Sequence, residues 1–451
     1  MLISLAFLAA GGCSLGSSEQ ELRGAVLIVL DTLRADGLSA YGNGRRTSPH
    51  LDGLAQKGVL FERAVSHASG TLPAFVGLLS GRYPSAEVMD GALRSSLVER
   101  LREAGFRTAA FTEGGFVSSY YGMDLGFDEF LEEEGPVHLT VGGLAAHGSA
   151  GGIEETFRRA EAWLRENGAA AFFLMVHTYE VHTPYRRLEY ATGLERGRLP
   201  ERFEIAEVAK ALSDRRPPSD TELAYIRALY DGGAAAADRH VGALLDVLKE
   251  LGLAERTLVV VTSDHGEDLG DRAPPRPGTH GHALYDELLL VPLVIYDPRL
   301  DDAVSRVPAQ VRLVDVLPTI LDLLGVPEDP RSNGRSLAPL MRGEEAGDRP
   351  AYAQIVTIKG GARKVALREG SHKLIHNAFP KAPAVELYDL AADPAEARNL
   401  ASHKSELRER LQEKLRRARF SVAEGGLPNY RPGQPTPRAL KERLEALGYV
   451  E

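Results

Sequence analysis

The segment TLVVVTSD (residues 257–264) joins a wholly apolar run to a polar end. A short run of Val and Leu without alternating polar residues is typical of a strand that is buried on both faces of a sheet. Four other segments are of this type: AVLIVL (25–30), TAAFT (108–112), AFFLMVH (171–177) and VPLVIYD (291–297). The sequence therefore predicts a central sheet that is covered on both sides.

Helical patterns separate these predicted strands. SLVERLREAG places Leu97, Val98 and Leu101 at helical spacing and ends at Gly105, a residue suited to the end of a helix. RHVGALLDVLKELGL (239–253) has a similar apolar face and also ends near a glycine. Strands that alternate with helices predict an α/β fold with a large, mostly parallel sheet sandwiched by helices.

The sequence pattern changes after about residue 345. AYAQIVTIKGGARKVALREGSHKLIHN (351–377) contains short strand-like runs with intervening glycines, and SELRERLQEKLRRA (405–418) is a charged helical stretch. These features predict a small C-terminal antiparallel sheet plus a helix, packed on the large domain. The predicted organisation is a signal or lipoprotein segment at 1–20, a large α/β domain at 24–345, and a small subdomain with terminal helices at 346–451.

Composition and charge narrow the functional class. The 451 residues carry a formal net charge of −10 and contain no basic run, so we do not expect nucleic acid as a partner. The chain has one cysteine, Cys13, and an internal disulfide is therefore excluded.

Cys13 follows the apolar run MLISLAFLAAGG, which is too short to span a bilayer and lies where a secretory signal would. The small residues before Cys13 resemble the lipobox of bacterial lipoproteins, in which the cysteine is lipidated. We therefore expect an exported protein, periplasmic or anchored in the outer membrane by a lipid on Cys13. An ordinary cleaved signal is the alternative.

Acidic and imidazole side chains follow the predicted strands or precede the last of them. These residues are Asp31, His177, His182, Asp264, His265, His280 and His282. Functional groups in an open α/β sheet gather where loops leave the carboxyl ends of the strands. We therefore expect these side chains to meet at one edge of the sheet.

Ordered motifs across most of the chain resemble the sulfatase family of the alkaline-phosphatase superfamily. They are TSPHLDGLAQKGVLFERAV (47–65), SDHGE (263–267), HALYDELLLVPLVIYDP (282–298), VDVLPTILDLLGV (314–326) and ELYDLAADPAEARNLA (386–401). The resemblance implies an alkaline-phosphatase-like fold and metal-dependent chemistry on sulfate or phosphate esters.

The segment ASGTLPAFVGLLSGRYPS (68–85) corresponds to the family's nucleophile region. Family sulfatases carry C-x-P-x-R or S-x-P-x-R, in which the Cys or Ser is oxidised to formylglycine. The matching residues here are Thr71, Leu72, Pro73, Ala74 and Phe75. Threonine cannot become formylglycine and the arginine is missing, so the usual sulfatase mechanism is not available to this chain.

A threonine at this position resembles superfamily phosphotransferases and phosphodiesterases, such as phosphoethanolamine transferases and lipoteichoic acid synthases. In those enzymes the threonine forms a covalent phospho-threonine intermediate. By this resemblance Thr71 is the expected nucleophile. A helix that begins after Pro73 would direct backbone N–H groups at the bound anion.

Asp31, Asp264 and His265 are the expected ligands of a divalent metal, with the Thr71 hydroxyl as a fourth ligand that the metal would activate. Family sulfatases usually have paired Asp after the first strand and often Asn after the later Asp. This chain has Asp31-Thr32 and Asp264-His265 instead. An imidazole in place of oxygen ligands favours zinc or manganese, with calcium or magnesium still possible.

We expect His182 and His282 to hold the non-bridging oxygens of the transferred group, one of them protonating the leaving alcohol. His177 and His280 are expected to support the substrate site, as is Glu267. Arg34 could add a cationic contact to substrate, or could form a surface ion pair. Four further histidines are expected to have surface or packing roles: His67, His147, His240 and His372.

The predicted function is a metal-dependent ester hydrolase that uses Thr71 as its nucleophile, with phosphate mono- or diesters favoured as substrates. The alternatives are a sulfuric ester hydrolase that works without formylglycine, a phosphotransferase and, less favoured, a binding protein that has lost catalysis. The expected substrate is a small-molecule, glycan or lipid ester, with membrane contact only through the lipid anchor.

Overall fold

The computed structural model describes most of the chain between residues 21 and 418. The described ranges are 21–84, 96–132, 138–139, 145–146, 152–202, 217–272, 276–300, 304–356, 362–377 and 384–418. Cys13, the predicted signal segment and His147 lie outside these ranges, as do residues 419–451.

The strands form a large sheet, a small C-terminal sheet and one short two-stranded ribbon. Their bounds are β1 (Gly24–Leu30), β2 (Val59–Val65), β3 (Arg107–Thr112), β4 (Glu129–Glu132), β5 (His138–Leu139), β6 (Ala145–Ala146), β7 (Phe172–Thr178), β8 (Thr257–Thr262), β9 (Leu290–Val291), β10 (Leu293–Tyr296), β11 (Arg306–Arg312), β12 (Ala351–Val356), β13 (Ala362–Glu369), β14 (His372–Asn377) and β15 (Val385–Asp389).

The large sheet has nine strands in the order β11-β2-β10-β8-β1-β7-β3-β4, with β9 paired to β2. Strands β8, β1, β7, β3 and β4 run parallel, and β11 runs parallel to β2. Every residue of β1, β7 and β8 is buried, as their unbroken apolar runs predicted. The predicted strand in VPLVIYD is present as β10, but it runs antiparallel to both β2 and β8.

Helices cover both faces of the large sheet, and each face has its own hydrophobic core. The bounds are α1 (Pro49–Lys57), α2 (Thr71–Ser80), α3 (Leu97–Glu103), α4 (Ile153–Asn167), α5 (Asp220–Glu250), α6 (Asp286–Leu289), α7 (Val316–Leu323), α8 (Ala338–Met341) and α9 (Ser405–Arg417). Within the described ranges, no helix is both long and apolar enough to cross a membrane.

The helices predicted from SLVERLREAG and RHVGALLDVLKELGL are α3 and part of α5. Helix α5 is one continuous helix of 31 residues that begins at a capping box, in which Ser219 and Glu222 satisfy each other's backbone N–H groups. The prediction of a mostly parallel sheet sandwiched by helices is confirmed.

The small C-terminal sheet is antiparallel, in the order β12-β13-β14-β15. Its outer face packs on α9 through Leu411 and Leu415. Its inner face packs on the large domain, where Leu284 and Leu289 contact Ile375 and its neighbours. This arrangement confirms the predicted small sheet plus helix and places the sheet beside α6.

Candidate active site

Asp31, Asp264 and His265 lie together at the carboxyl end of the central strands. Asp31 directly follows β1, and Asp264 follows β8 after one intervening residue; β1 and β8 are parallel neighbours. One ligand atom from each of the three residues lies within 4.8 Å of the others, and all three side chains are fully buried. The parallel pairing of β1 and β8 thus brings the sequence-predicted ligand set to one point.

The carboxylates of this cluster are incompletely satisfied. Among the described residues, Asp31 Oδ1 and Asp264 Oδ2 have no hydrogen-bond partner. Burial raises the pKa of Asp31 well above its ordinary value, and the nearby charges of Asp264 and Glu267 raise it further. Unsatisfied buried carboxylate oxygens beside an imidazole are the donor set that a divalent cation requires, so these residues fit a metal site.

The His265 ring is held in an orientation suited to metal binding. Nδ1 lies 2.8 Å from the Gly266 carbonyl oxygen, to which it can donate its proton. The lone pair is then on Nε2, which lies 3.4 Å from Asp264 Oδ2 and 3.3 Å from Thr71 Oγ1.

Thr32 occupies the second position of the family's usual Asp pair, and its backbone is strained. Its φ of 59° is in the left-handed region, which is unfavourable for a β-branched residue. In this conformation its N–H donates to Asp264 Oδ1 at 3.3 Å, and its hydroxyl donates to the Asp31 carbonyl at 2.7 Å. The Thr32 backbone therefore orients the Asp264 carboxylate, and its hydroxyl is turned to the main chain at Asp31.

Thr71 is the first residue of α2, so the helix begins three residues before the predicted start after Pro73. Pro73 lies within the first turn, where a backbone N–H has no intrahelical partner in any case. The Thr71 side chain is buried, and Oγ1 donates to Asp31 Oδ2 at 3.3 Å. The hydroxyl thus lies between Asp31 and His265, at the N-terminus of a helix.

His177, at the end of β7, contacts the same oxygen of Asp31 as Thr71 does. Its Nε2 lies 3.3 Å from Asp31 Oδ2, and its ring is fully buried. The edges of Phe75 and Tyr179 pack against it at centroid distances of 5.1 and 4.6 Å. Sequence reasoning missed Tyr179, which also packs on His182; its position two residues after His177 was the available signal.

His280 lies in a buried row of imidazoles between His182 and His265. The ring centroids are 4.9 Å apart for His182 and His280, and 4.6 Å apart for His265 and His280. His280 Nδ1 lies 2.9 Å from Glu267 Oε1, so a carboxylate orients the central ring. His182 Nδ1 lies 2.5 Å from the Thr183 carbonyl oxygen.

Burial is the main cause of the shifted pKa values of His182 and His280 in this row. Burial, and after it the neighbouring His280, lower the pKa of His182 to about 3. Burial also holds the pKa of His280 well below its usual range, with His265 as the next cause. Burial raises the pKa of Glu267 to about 7. Burial therefore holds His182 and His280 in the neutral form near pH 7.

His282, the second sequence-predicted catalytic histidine, lies apart from this row. Its side chain is 29 % exposed, and its Nε2 lies 3.7 Å from Asp268 Oδ2. In the described structure it is His280, two residues earlier, that contacts His182 and His265.

Arg34 forms ion pairs with carboxylates on both sides. Its guanidinium lies 2.7 Å from Asp36 and 2.6 Å from Asp271, and it also donates to the Glu267 carbonyl at 3.2 Å. These contacts favour the ion-pair alternative over a direct contact with substrate. They also connect the loop that follows Asp31 to the loop that follows Glu267.

His67, His240 and His372, for which the sequence suggested surface or packing roles, make other contacts. His67 is buried under α2, where its Nε2 is 2.9 Å from the Ala74 carbonyl oxygen. His240 packs against Phe157 on α4. His372 lies on β14, partly exposed near Asp389.

The sheet order and the buried carboxylate–imidazole cluster define an alkaline-phosphatase-like α/β protein. Comparison with known families narrows this class. Residues 24–326 match the family described as Sulfatase, and residues 280–421 match the family described as N-sulphoglucosamine sulphohydrolase, C-terminal. The chain therefore belongs to the sulfatase family.

Curated relatives include sulfatases of different specificities. Arylsulfatase K of Mus musculus is 32% identical over 206 residues, which are 44% of this chain and 36% of the relative. Delta 4,5-hexuronate-2-O-sulfatase of Bacteroides thetaiotaomicron is 24% identical over 426 residues, 86% of each chain. The matched segment thus spans little more than a third of the mouse relative's length.

Solved structures of similar fold include two phosphonate monoester hydrolases. The enzyme of Agrobacterium radiobacter has a TM-score of 0.68 and 24% identity, covering 89% of this chain and 96% of its own. The enzyme of Silicibacter pomeroyi has a TM-score of 0.65 and 23% identity, covering 92% and 99%. These similarities establish the fold.

Proposed function

We propose that the protein is a metal-dependent ester hydrolase that uses the Thr71 hydroxyl as its nucleophile, with phosphate mono- or diesters as the favoured substrates. The observation that carries this proposal is the position of Thr71 Oγ1, 3.3 Å from both Asp31 Oδ2 and His265 Nε2. A hydroxyl in that position can act without conversion to formylglycine.

Asp31, Asp264, His265 and the Thr71 hydroxyl would hold the metal. The donor set of two carboxylates and one imidazole favours zinc or manganese over calcium. When bound, the cation would lower the pKa of the hydroxyl and stabilise negative charge on the transferred group.

In the first half-reaction the Thr71 Oγ1–phosphorus bond forms as the bond from phosphorus to the leaving alcohol breaks. The hydroxyl proton moves toward Asp31 Oδ2, which already accepts a hydrogen bond from Thr71. The backbone N–H groups of Thr71 and Leu72, at the start of α2, stabilise the oxygens of the anion.

The leaving alcohol takes its proton from His280, which shares a hydrogen bond with Glu267. The entering anion favours the imidazolium form of His280, and Glu267 stabilises that form. The anion likewise favours the imidazolium form of His182, whose Nε2–H then donates to a non-bridging oxygen while its Nδ1–H donates to the Thr183 carbonyl. In this scheme His280 takes the role that the sequence suggested for His282, and His282 contacts the leaving group at the rim of the site.

In the second half-reaction water attacks phosphorus and the Thr71–phosphorus bond breaks. The water proton passes to His280, and Thr71 Oγ1 recovers its proton from Asp31. The net reaction converts an ester and water into an alcohol and a phosphate. An acceptor alcohol in place of water would make the same site a phosphotransferase.

A sulfate ester hydrolase without formylglycine is the second candidate, favoured by the sulfatases among the curated relatives. We further propose that the protein is exported and held to the membrane by a lipid on Cys13, and that its substrate is a small-molecule, glycan or lipid ester.

Intact-protein mass spectrometry after brief exposure to phosphate and sulfate esters, with Zn²⁺ or Mn²⁺ supplied, tests the nucleophile. We expect a phosphoryl adduct on Thr71 that is absent in Thr71→Ala, and at least about a 10³-fold loss of kcat in that variant. Thr319→Ala is the matched control, because Thr319 is also a buried threonine with two hydrogen bonds.

A sulfuryl adduct on Thr71 without reaction of phosphate esters would establish the second candidate. Absence of any adduct and of turnover with every metal would refute the nucleophile assignment and favour a binding protein.

A further inference from the structure

Lys373, on β14 of the C-terminal sheet, is a fully buried lysine with an ammonium group bound on three sides. Its Nζ lies 2.6 Å from Asp286 Oδ1 and 2.8 Å from Glu396 Oε1, and it donates to the Leu284 carbonyl at 3.1 Å. A buried ammonium is retained only with such partners, because its removal from water is costly. Two of these partners, Leu284 and Asp286, belong to the segment that follows His280 and His282.

Other charged groups hold the same short helix, α6. Arg368 on β13 lies 3.2 Å from Asp286 Oδ2. Glu396 Oε2 accepts the Asp286 N–H at 2.7 Å, and Arg272 contacts both Glu396 and Glu287. The start of α6 is therefore bound by side chains from the C-terminal sheet and from the segment that follows it.

Helix α6 in turn packs on the turn that carries His265. Gly266 N–H donates to the Leu288 carbonyl at 2.9 Å. A Cβ on Gly266 would lie 2.1 Å from the Glu287 carbonyl oxygen, so no side chain fits between the turn and the helix. The Gly266 carbonyl is the partner of His265 Nδ1. A shift of α6 would therefore displace the group that orients the His265 ring.

A second path leads from α6 to Asp264 through Ser66. The Ser66 N–H donates to the Leu289 carbonyl at 2.8 Å, and the Ser66 hydroxyl donates to the Asp264 carbonyl at 2.5 Å. The end of α6 thus supports Asp264, while the middle of the same helix supports Gly266.

We propose that Lys373 is a positioning residue for the metal centre: through Asp286 and α6 it fixes the backbone on which Asp264 and His265 are mounted. The C-terminal sheet is then part of the catalytic apparatus and not an appendage. This inference rests on the metal centre of the proposed function. It differs from a purely stabilising role, because loss of the ion pair should weaken metal binding while the protein remains folded.

The test is Mn²⁺ affinity of the chelator-treated full-length protein, measured by electron paramagnetic resonance. We expect Lys373→Met to weaken Mn²⁺ binding at least about tenfold, the usual effect of losing a group that orients a metal ligand. Asp286→Asn should weaken it severalfold; this variant keeps the Lys373–Glu396 pair and so protects the test against misfolding of Lys373→Met.

Leu411→Ala is the matched control. Leu411 is buried under the outer face of the same sheet, on the side away from α6. Its truncation should lower the melting temperature of the subdomain and leave Mn²⁺ affinity unchanged. The kcat for phosphate or sulfate esters at saturating Mn²⁺ is measured alongside for all four proteins.

Unchanged Mn²⁺ affinity in folded Lys373→Met and Asp286→Asn would overturn the inference, and so would an equal loss in Leu411→Ala. Wild-type protein that binds Mn²⁺ without hydrolysing esters would overturn the proposed function alone, since the affinity series would still test the role of Lys373. Absence of Mn²⁺ binding by the wild type would overturn both.

Discussion

Replacement of Asp31 by asparagine is predicted to stabilise the metal-free protein while removing its response to metal. The Asp31 carboxylate is fully buried, and its Oδ1 has no hydrogen-bond partner among the described residues. The two contacts at Oδ2, from Thr71 and His177, are both long at 3.3 Å. The ionised side chain is therefore poorly compensated when no cation is present.

The size of the effect follows from these contacts. Burial of a carboxylate costs several kcal/mol after relaxation, and a good hydrogen bond to a charged group returns roughly 1.5–3 kcal/mol. Two long bonds return less, so we expect metal-free Asp31→Asn to be about 2 kcal/mol more stable than the wild type at pH 7. For a chain of this length that corresponds to a rise in Tm of about 2 °C.

The pH dependence has a definite sign. Because burial raises the pKa of Asp31 in the folded state, the penalty is absent below about pH 4, where the carboxyl is neutral in both states. Wild-type stability is then lost as pH rises through the raised folded pKa. The advantage of Asp31→Asn should therefore grow between about pH 4 and pH 7.

Urea unfolding of chelator-treated protein at several pH values measures the difference, followed by titration with Mn²⁺. Mn²⁺ at 100 times its Kd should stabilise the wild type by about 2.7 kcal/mol and leave Asp31→Asn nearly unaffected.

Asp238→Asn is the matched control, because both oxygens of that buried carboxylate accept backbone N–H groups, at 3.0 and 2.8 Å. Asparagine offers one oxygen, so this variant should be destabilised by about 1 kcal/mol or more. A metal-free Asp31→Asn protein that is less stable than the wild type from pH 4 to 8 would contradict this prediction. Equal Mn²⁺ stabilisation of variant and wild type would refute it as well.

Three further predictions concern histidines and the strained Thr32. His280→Ala should lower kcat about 10²-fold or more and His282→Ala less than about tenfold, since only His280 lies in the buried imidazole row; the reverse order in steady-state assays would contradict the assigned roles. Burial lowers the pKa of His67 to about 4, so as pH falls from about 6.5 the unfolded state binds a proton before the folded state does. Wild-type protein should therefore lose stability between pH 6.5 and pH 4, and His67→Gln should lose up to about 3 kcal/mol less over the same interval. Urea unfolding at both pH values checks this, and equal losses would count against it. Thr32→Asp should add an oxygen near Asp31 and Asp264 and raise Ca²⁺ affinity relative to Mn²⁺, measured by calorimetry; an unchanged ratio would show that the Thr32 side chain cannot turn toward the cluster.

The clustering of Asp31, Asp264 and His265 could be predicted from sequence because each residue lies just after a strand. Asp31 and Asp264 each lie just after a wholly apolar strand, and parallel strands bring such positions to one edge of the sheet. The same reasoning predicted both helix-covered faces and the small C-terminal sheet. The sequence alone likewise shows that position 71 is a threonine, which cannot be converted to formylglycine.

Other features depend on contacts that the chain order does not encode. An apolar run has no intrinsic direction, so the antiparallel course of β10 emerges only from its pairing with β2 and β8. His280 and His282 are two residues apart in one loop, and sequence spacing does not rank them. The contact of His280 Nδ1 with Glu267 Oε1, and its ring contacts with His182 and His265, place His280 in the buried imidazole row.

The buried ion pairs also join residues that are far apart in the chain. Arg34 pairs with Asp271 and Lys373 pairs with Asp286, residues that are 237 and 87 positions apart in the chain. The sequence predicts which apolar runs are buried strands and which polar groups follow them, because both are local patterns. Which charged groups meet depends on tertiary packing, because a buried charge takes whichever opposite charge the packed chain brings within reach.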